Sequence, residues 1–227
     1  MNWFKGRHFN QDIIMVAVGY YFRFNLSYRD VVEIMADRGV SVHHTTIMRW
    51  VHHYGAIFQM LWRRHKQSTS QSWRVDETYI KINGSWNYLY RAIDNQGLTL
   101  DFSLRKQRDY LAAYHFLKRL LKAYGHPSCL VTDQYGATLK AIKQVAKDGL
   151  LDLNAHQCSK YRNNLIEQDH RFIKRHRVQS AGFQSIRTAA STLAGVEVIH
   201  AMRKETRRNG SLFGFSVITE LKQMLAA

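Results

Sequence analysis

Proline occurs once in the 227 residues, at Pro127, and cysteine twice, at Cys129 and Cys158. A single proline excludes a proline-rich linker. Neither cysteine has a CxxC partner, so a zinc box is excluded and both thiols are expected to stay reduced. The longest nearly unbroken apolar stretch, Ile13 to Phe22, falls well short of the roughly 18 residues that span a bilayer, and no transmembrane helix is expected. The start of the chain lacks a basic segment, apolar run and small-residue cleavage site, so no signal peptide is expected and the cytoplasm is the expected location. No GxxxxGK[ST] loop is present, and no nucleotide cofactor is expected. Acid is also scarce: 17 Asp and Glu stand against 33 Lys and Arg, a net charge of +16. What remains is 45% hydrophobic, enough for one sizeable core or two small ones.

The positive excess points to a polyanionic partner, with nucleic acid ahead of a membrane surface. It is not confined to one tail. Residues 1–72 carry nine basic and four acidic side chains, 73–159 twelve and eight, and 160–227 twelve and five. A protein that holds DNA along several surfaces has this distribution.

Over the first seventy residues the periodicity is helical. Asn10 precedes Ile13, Ile14, Val16, Ala17, Tyr20, Tyr21 and Phe24, a capped helix with Asp12 in its first turn. Ser27 and Asp30 form a Ser-x-x-Asp capping pattern ahead of Val31, Ile34 and Met35, and Gly39 supplies a left-handed stop. A third helix places Ile47, Trp50, Val51 and Tyr54 on one stripe. Its opposite face presents His44, Thr45, Met48, Arg49 and His52, groups suited to phosphates or base edges. Helix, glycine turn and helix at this spacing is helix-turn-helix geometry, and these five residues are the candidate DNA contacts. An ordinary helical hairpin has the same periodicity. The polar run Gln67 to Ser72 marks a domain boundary near residue 70.

From Trp73 the pattern turns to strands. Arg74–Ile82, Trp86–Ile93 and Leu98–Leu104 predict a three-stranded meander, with Asn83-Gly84 as a hairpin turn. Asp109 caps a helix through Tyr124; Cys129–Asp133 reads as a fourth strand, Ala137–Ala146 as a helix, and Leu151–Asn154 as a fifth strand. The expected class is α/β: a mixed five-stranded sheet flanked by helices, preceded by the all-α domain. The expected domains are 1–70, 71–206 and a tail or helix over 207–227. His200 and the basic run Arg203–Arg208 are expected on a helix facing DNA, a partner subunit or solvent.

Asp76 and Asp133 each lie in or just after an apolar strand, where an unpaired charge is costly. If the first and fourth strands are neighbours, the two acids meet and repel unless a cation lies between them. Mg²⁺ binds carboxylates while keeping waters, as a phosphate-processing site requires. The stretch Asn163–His176 reads as a helix with Glu167, His170, Arg171 and Lys174 on one face. It offers a third carboxylate followed by cations that can grip phosphates. Other acids compete. Alternation sends Glu77 to the face opposite Asp76, Asp94 and Asp109 hold turn or cap positions, and Asp169 lies off the Glu167 face. Asp101 stays open.

Val75-Asp76-Glu77-Thr78-Tyr79, Leu89-Tyr90-Arg91-Ala92-Ile93-Asp94, Val131-Thr132-Asp133-Gln134 and Asn163-Asn164-Leu165-Ile166-Glu167, running on to Lys174, resemble the DDE transposases of bacterial insertion sequences. The branch they resemble is the insertion sequence six family. The match covers nearly the whole chain, including Ser27–Asp30 and Arg49-Trp50-Val51. The resemblance implies a ribonuclease-H-like core, Asp76, Asp133 and Glu167 as the metal-binding catalytic triad, and Lys174 as the basic residue that follows it. It also implies replicative movement through cointegrates. Asp133 and Glu167 are 34 positions apart, within the family's spacing. Arg162 departs from the pattern, standing where an apolar residue is expected.

The expected chemistry is two-metal phosphoryl transfer, with Mg²⁺ or Mn²⁺ ions roughly 3.5–4 Å apart. It would nick the 3′ ends of terminal inverted repeats and join them to target DNA. Joining two ends in one event calls for a homo-oligomer. The rival readings are a helix-turn-helix repressor and a structure-specific nuclease without strand transfer.

Overall fold

The computed structural model describes residues 3–64, 70–159, 163–178, 182–208 and 216–226. Arg162 and the first half of the polar run, 67–69, lie outside the described residues. The chain divides into two compact units, Gln67–Phe172 and a helical unit that joins Met1–Lys66 to Ile173–Ala227. The segment expected as a separate tail therefore groups with the N-terminal helices.

In the helical unit, α1 (Gln11–Arg23), α2 (Tyr28–Ala36) and α3 (His44–Arg64) follow the predicted pattern. Asn10 accepts from the Asp12 N–H, and Ser27 and Asp30 close both halves of the capping box. Ile47, Trp50, Val51 and Tyr54 are all buried. The C-terminal helices α7 (Ile186–Arg208) and α8 (Val217–Ala226) complete this unit. His200 and Arg203–Arg208 lie on α7. Two glycines set how closely the helices approach. A Cβ on Gly55 of α3 would lie 2.0 Å from the Ser191 carbonyl oxygen of α7, and one on Gly195 would lie 2.2 Å from the Phe22 ring. Any larger residue forces these helices apart. Val217 and Leu221 of α8 fit beside Gly19 of α1, and Lys222 pairs with Asp12 at 2.8 Å. No helix among the described residues is long and apolar enough to cross a membrane.

The second unit is built on a five-stranded sheet: β1 (Ser72–Ile82), β2 (Ser85–Asp94), β3 (Thr99–Arg105), β4 (Cys129–Thr132) and β5 (His156–Cys158). The order is β3-β2-β1-β4-β5; the meander is antiparallel, while β4 and β5 run parallel to β1. This is a mixed five-stranded sheet, as the strand pattern predicts. Asn83 and Gly84 turn the first hairpin with positive φ at both residues, as a type I′ turn requires. The fifth strand lies later than its expected position at Leu151–Asn154. Asp152 accepts from the Asn154 N–H and caps a 3₁₀ turn over Leu153–Ala155, so pairing begins only at His156.

Side chains at alternate positions of β1 decide what each face does. Trp73 and Val75 join Tyr90, Ala92, Leu100 and Leu130 beneath α4 (Tyr110–Tyr124) and α5 (Gly136–Lys147), forming the unit's apolar core. Arg74, Asp76 and Thr78 point the other way. On that second face α6 (Asn164–Val178) begins, anchored where the Asn163 amide donates to the Val75 carbonyl at 3.3 Å.

Candidate active site

The β1–β4 register brings Asp76 and Asp133 together. Arg74 pairs with Val131 in parallel, so two residues further on Asp76 stands level with Asp133. But β4 ends at Thr132, leaving β1 without its neighbour at that level. The missing strand opens a notch in the sheet, and acids on β1 can reach it. Oxygens of Asp76, Glu77 and Asp133 all lie within 4.8 Å of one another. Glu77 obeys the expected alternation, continuing the α4-facing row of Trp73 and Val75. At the notch its carboxylate nevertheless reaches the same cluster, which the alternation argument did not foresee.

Glu167 sits in the first turn of α6 and is exposed. It is not in the 4.8 Å group, yet its charge is felt at Asp76. Burial, then the adjacent Glu77 charge, then Asp133 and Glu167 push the Asp76 carboxyl up to about 7. Such a donor set, acidic, oxygen-only and mutually repelling, fits a hard divalent cation. The predicted α6 face splits. Arg171 and Lys174 are exposed like Glu167, whereas His170 is buried with Nδ1 3.8 Å from Asp76 Oδ2.

Several residues that frame this site were not singled out from the sequence. Arg91, the cross-strand partner of Asp76, is fully buried and donates to Asp169 Oδ2 at 2.7 Å. Asp169 is therefore a structural anion that ties α6 to the sheet. Arg108 donates through Nε to Glu77 and through Nη2 to Asp133 Oδ2 at 3.1 Å. The Asn163 side chain locates the start of α6. An arginine on a strand between Tyr90 and Ala92 was the one available signal, since a buried cation needs a partner.

The remaining acids are accounted for. Asp94 accepts from the backbone N–H groups of Gln96 and Leu98, and Asp109 caps α4 through the Ala112 N–H. Asp101, left open by the sequence, pairs with Arg119 at 2.6 Å.

On α3, Arg49 is exposed and His44, Thr45, Met48 and His52 are half-buried, on the side away from the apolar stripe. Thr45 shares a 2.8 Å hydrogen bond with His43 Nδ1. Burial lowers the His52 pKa, so its neutral ring is favoured near Tyr28 Oη, 3.5 Å away.

A DDE-domain family model matches residues 70–206. Over 227 residues the chain is 51% identical to the transposase for insertion sequence-like element IS431mec of Staphylococcus aureus strain N315, covering 100% of both proteins. It is likewise 51% identical, over 100% of both, to the transposase for insertion sequence element IS257 in transposon Tn4003 of Staphylococcus aureus. Among solved structures, the trimeric form of the HTLV-2 integrase catalytic core domain in complex with magnesium aligns with a TM-score of 0.43 and 16% identity, over 57% of this chain and 85% of that one. By its DDE domain and its full-length identity to these transposases, the chain belongs to the DDE transposases of the insertion sequence six family.

Proposed function

We propose that this transposase binds the terminal inverted repeats of its own element, nicks their 3′ ends and joins the freed hydroxyls to target DNA, giving replicative cointegrates. The observation that carries this reading is the convergence of Asp76 and Asp133 at the notch beside β4, with Glu167 close enough to act on Asp76. Asp76, Asp133 and Glu167 would hold two Mg²⁺ or Mn²⁺ ions. When bound, such ions supply Lewis-acid stabilisation of the charge that builds on the attacking and leaving oxygens.

The protein's own groups do the positioning. Arg171 and Lys174, exposed one and two turns beyond Glu167, neutralise phosphates flanking the scissile bond. His44, Thr45, Met48, Arg49 and His52 line the helix-turn-helix face that meets the repeat. Two ends must react together, so the working form is a homo-oligomer, acting in the cytoplasm on the bacterial nucleoid.

The test combines purified protein, labelled repeat ends, Mg²⁺ and a target plasmid. Joined products are the expected result. Cleavage without joining would support a nuclease, and binding with neither would support a repressor.

A further inference from the structure

Arg108 lies between β3 and α4, next to the Asp109 cap, and makes more of the contacts around the acid cluster than any role in packing requires. Its Nε donates to Glu77, Nη2 to Asp133 Oδ2 at 3.1 Å and Nη1 to Tyr79 Oη at 3.3 Å. The guanidinium carbon stands 3.7 Å from the centre of the Tyr135 ring. Tyr135 closes the loop twice: its hydroxyl donates to the Arg108 carbonyl at 2.9 Å, and its N–H donates to Asp133 Oδ1 at 3.1 Å. Both oxygens of Asp133 are thus oriented by one circuit that starts at Glu77.

We propose that Arg108 is a positioning residue that fixes the Asp133 carboxylate for metal binding, and that Glu77 is the counter-charge of Arg108 and not a metal ligand. This rests on the reading of Asp133 as a ligand. Glu77 has a side chain only 2% exposed, and a carboxylate so buried needs a cation beside it. The guanidinium fork contacts Glu77 and Asp133 through different nitrogens at once, which a lysine ammonium on its flexible stem does not reproduce. Partners that orient a ligating carboxylate raise metal affinity by preorganisation.

A guanidinium that occupied the cation's place and had to be expelled would act in the opposite direction through the same contacts. The two differ in sign. Mn²⁺ is titrated into the full-length chain by calorimetry and electron paramagnetic resonance, for the unaltered protein and for Arg108→Ala, Arg108→Lys, Glu77→Gln and Asp133→Ala, with melting temperatures confirming folding.

Loss of this positioning in Arg108→Ala weakens Mn²⁺ binding about 10–100-fold, a range found for residues that support ligands, with partial recovery in Arg108→Lys. Glu77→Gln still accepts from Arg108 and retains Mn²⁺ affinity. If Arg108→Ala does not fold, a weakened Arg108→Lys carries the same conclusion. Unchanged or tighter binding in the folded Arg108 variants overturns the proposal, as does a loss in Glu77→Gln equal to that in Asp133→Ala. Unimpaired Mn²⁺ binding by Asp133→Ala would instead sink the metal-site reading itself.

Discussion

Beneath α6 and along the β2–β3 edge, acids of the sheet unit end on donors of their own: Asp169 on Arg91, Asp101 on Arg119, Asp94 on three backbone N–H groups. At the notch past β4, Asp76, Glu77 and Asp133 crowd within 4.8 Å, and Arg108 contacts two of the three. The first region is built to be stable as it stands. The second sets acid beside acid, a repulsion that Arg108 offsets at Glu77 and Asp133 and that a divalent cation would relieve further. Both regions use the same residue types, so composition does not separate them; the balance of partners does.

Four experiments break or sharpen this contrast. The largest effect belongs to the notch: Asp133→Asn or Asp76→Asn abolishes strand joining in the plasmid assay, while gel-shift binding to repeat DNA persists. In the satisfied region, Asp169→Ala removes the carboxylate that accepts from buried Arg91 and costs about 1.5–3 kcal/mol, the range for a hydrogen bond to a charged group, read by urea unfolding.

The notch behaves in reverse. Between pH about 4 and 7, folded Asp76 holds a proton that the unfolded chain releases. Unfolding therefore liberates protons, and the stability of chelator-treated protein falls as pH rises through this window. Asp76→Asn removes that loss and raises stability at pH 8 on the order of 3 kcal/mol. Added Mn²⁺ should stabilise the unaltered chain at pH 8 and Asp76→Asn much less, as melting temperatures would show. The smallest change is Asp101→Asn, under about 1 kcal/mol by urea unfolding, because Arg119 is a third exposed and solvent screens the pair. A stabilising Asp169→Ala, or a destabilising Asp76→Asn, would erase the distinction between the regions.

Much of the architecture was legible because it rests on local chemistry. The capping box at Ser27 and Asp30, the Asn83-Gly84 turn and the Asp109 cap each declare themselves within four residues. The fifth strand was displaced because Asp152 prefers a local hydrogen bond, which competes with pairing in a way hydropathy does not register. Asp76 and Asp133 stood out as charges in or just after apolar strands, but Glu77 was set aside on alternation, which assigns its face correctly and says nothing of how far its carboxylate reaches where the neighbouring strand has stopped. His170, placed on the Glu167 face by helical spacing, is drawn inward toward Asp76. The C-terminal segment was expected only as a tail or helix, and nothing local indicated that it would join the N-terminal unit.

By itself the order of residues determined the helices, the meander, the two aspartates in or just after apolar strands and the basic character of the chain, since propensity, capping and net charge are properties of neighbours or of sums. Only the tertiary structure decided that β4 would end one residue short of the level of Asp76, that Arg108 would serve Glu77 and Asp133 together, and that Arg91 would belong to Asp169. Those outcomes join residues 25 to 78 positions apart, and no local rule selects one distant partner for a charge until packing has fixed which side chains can reach it.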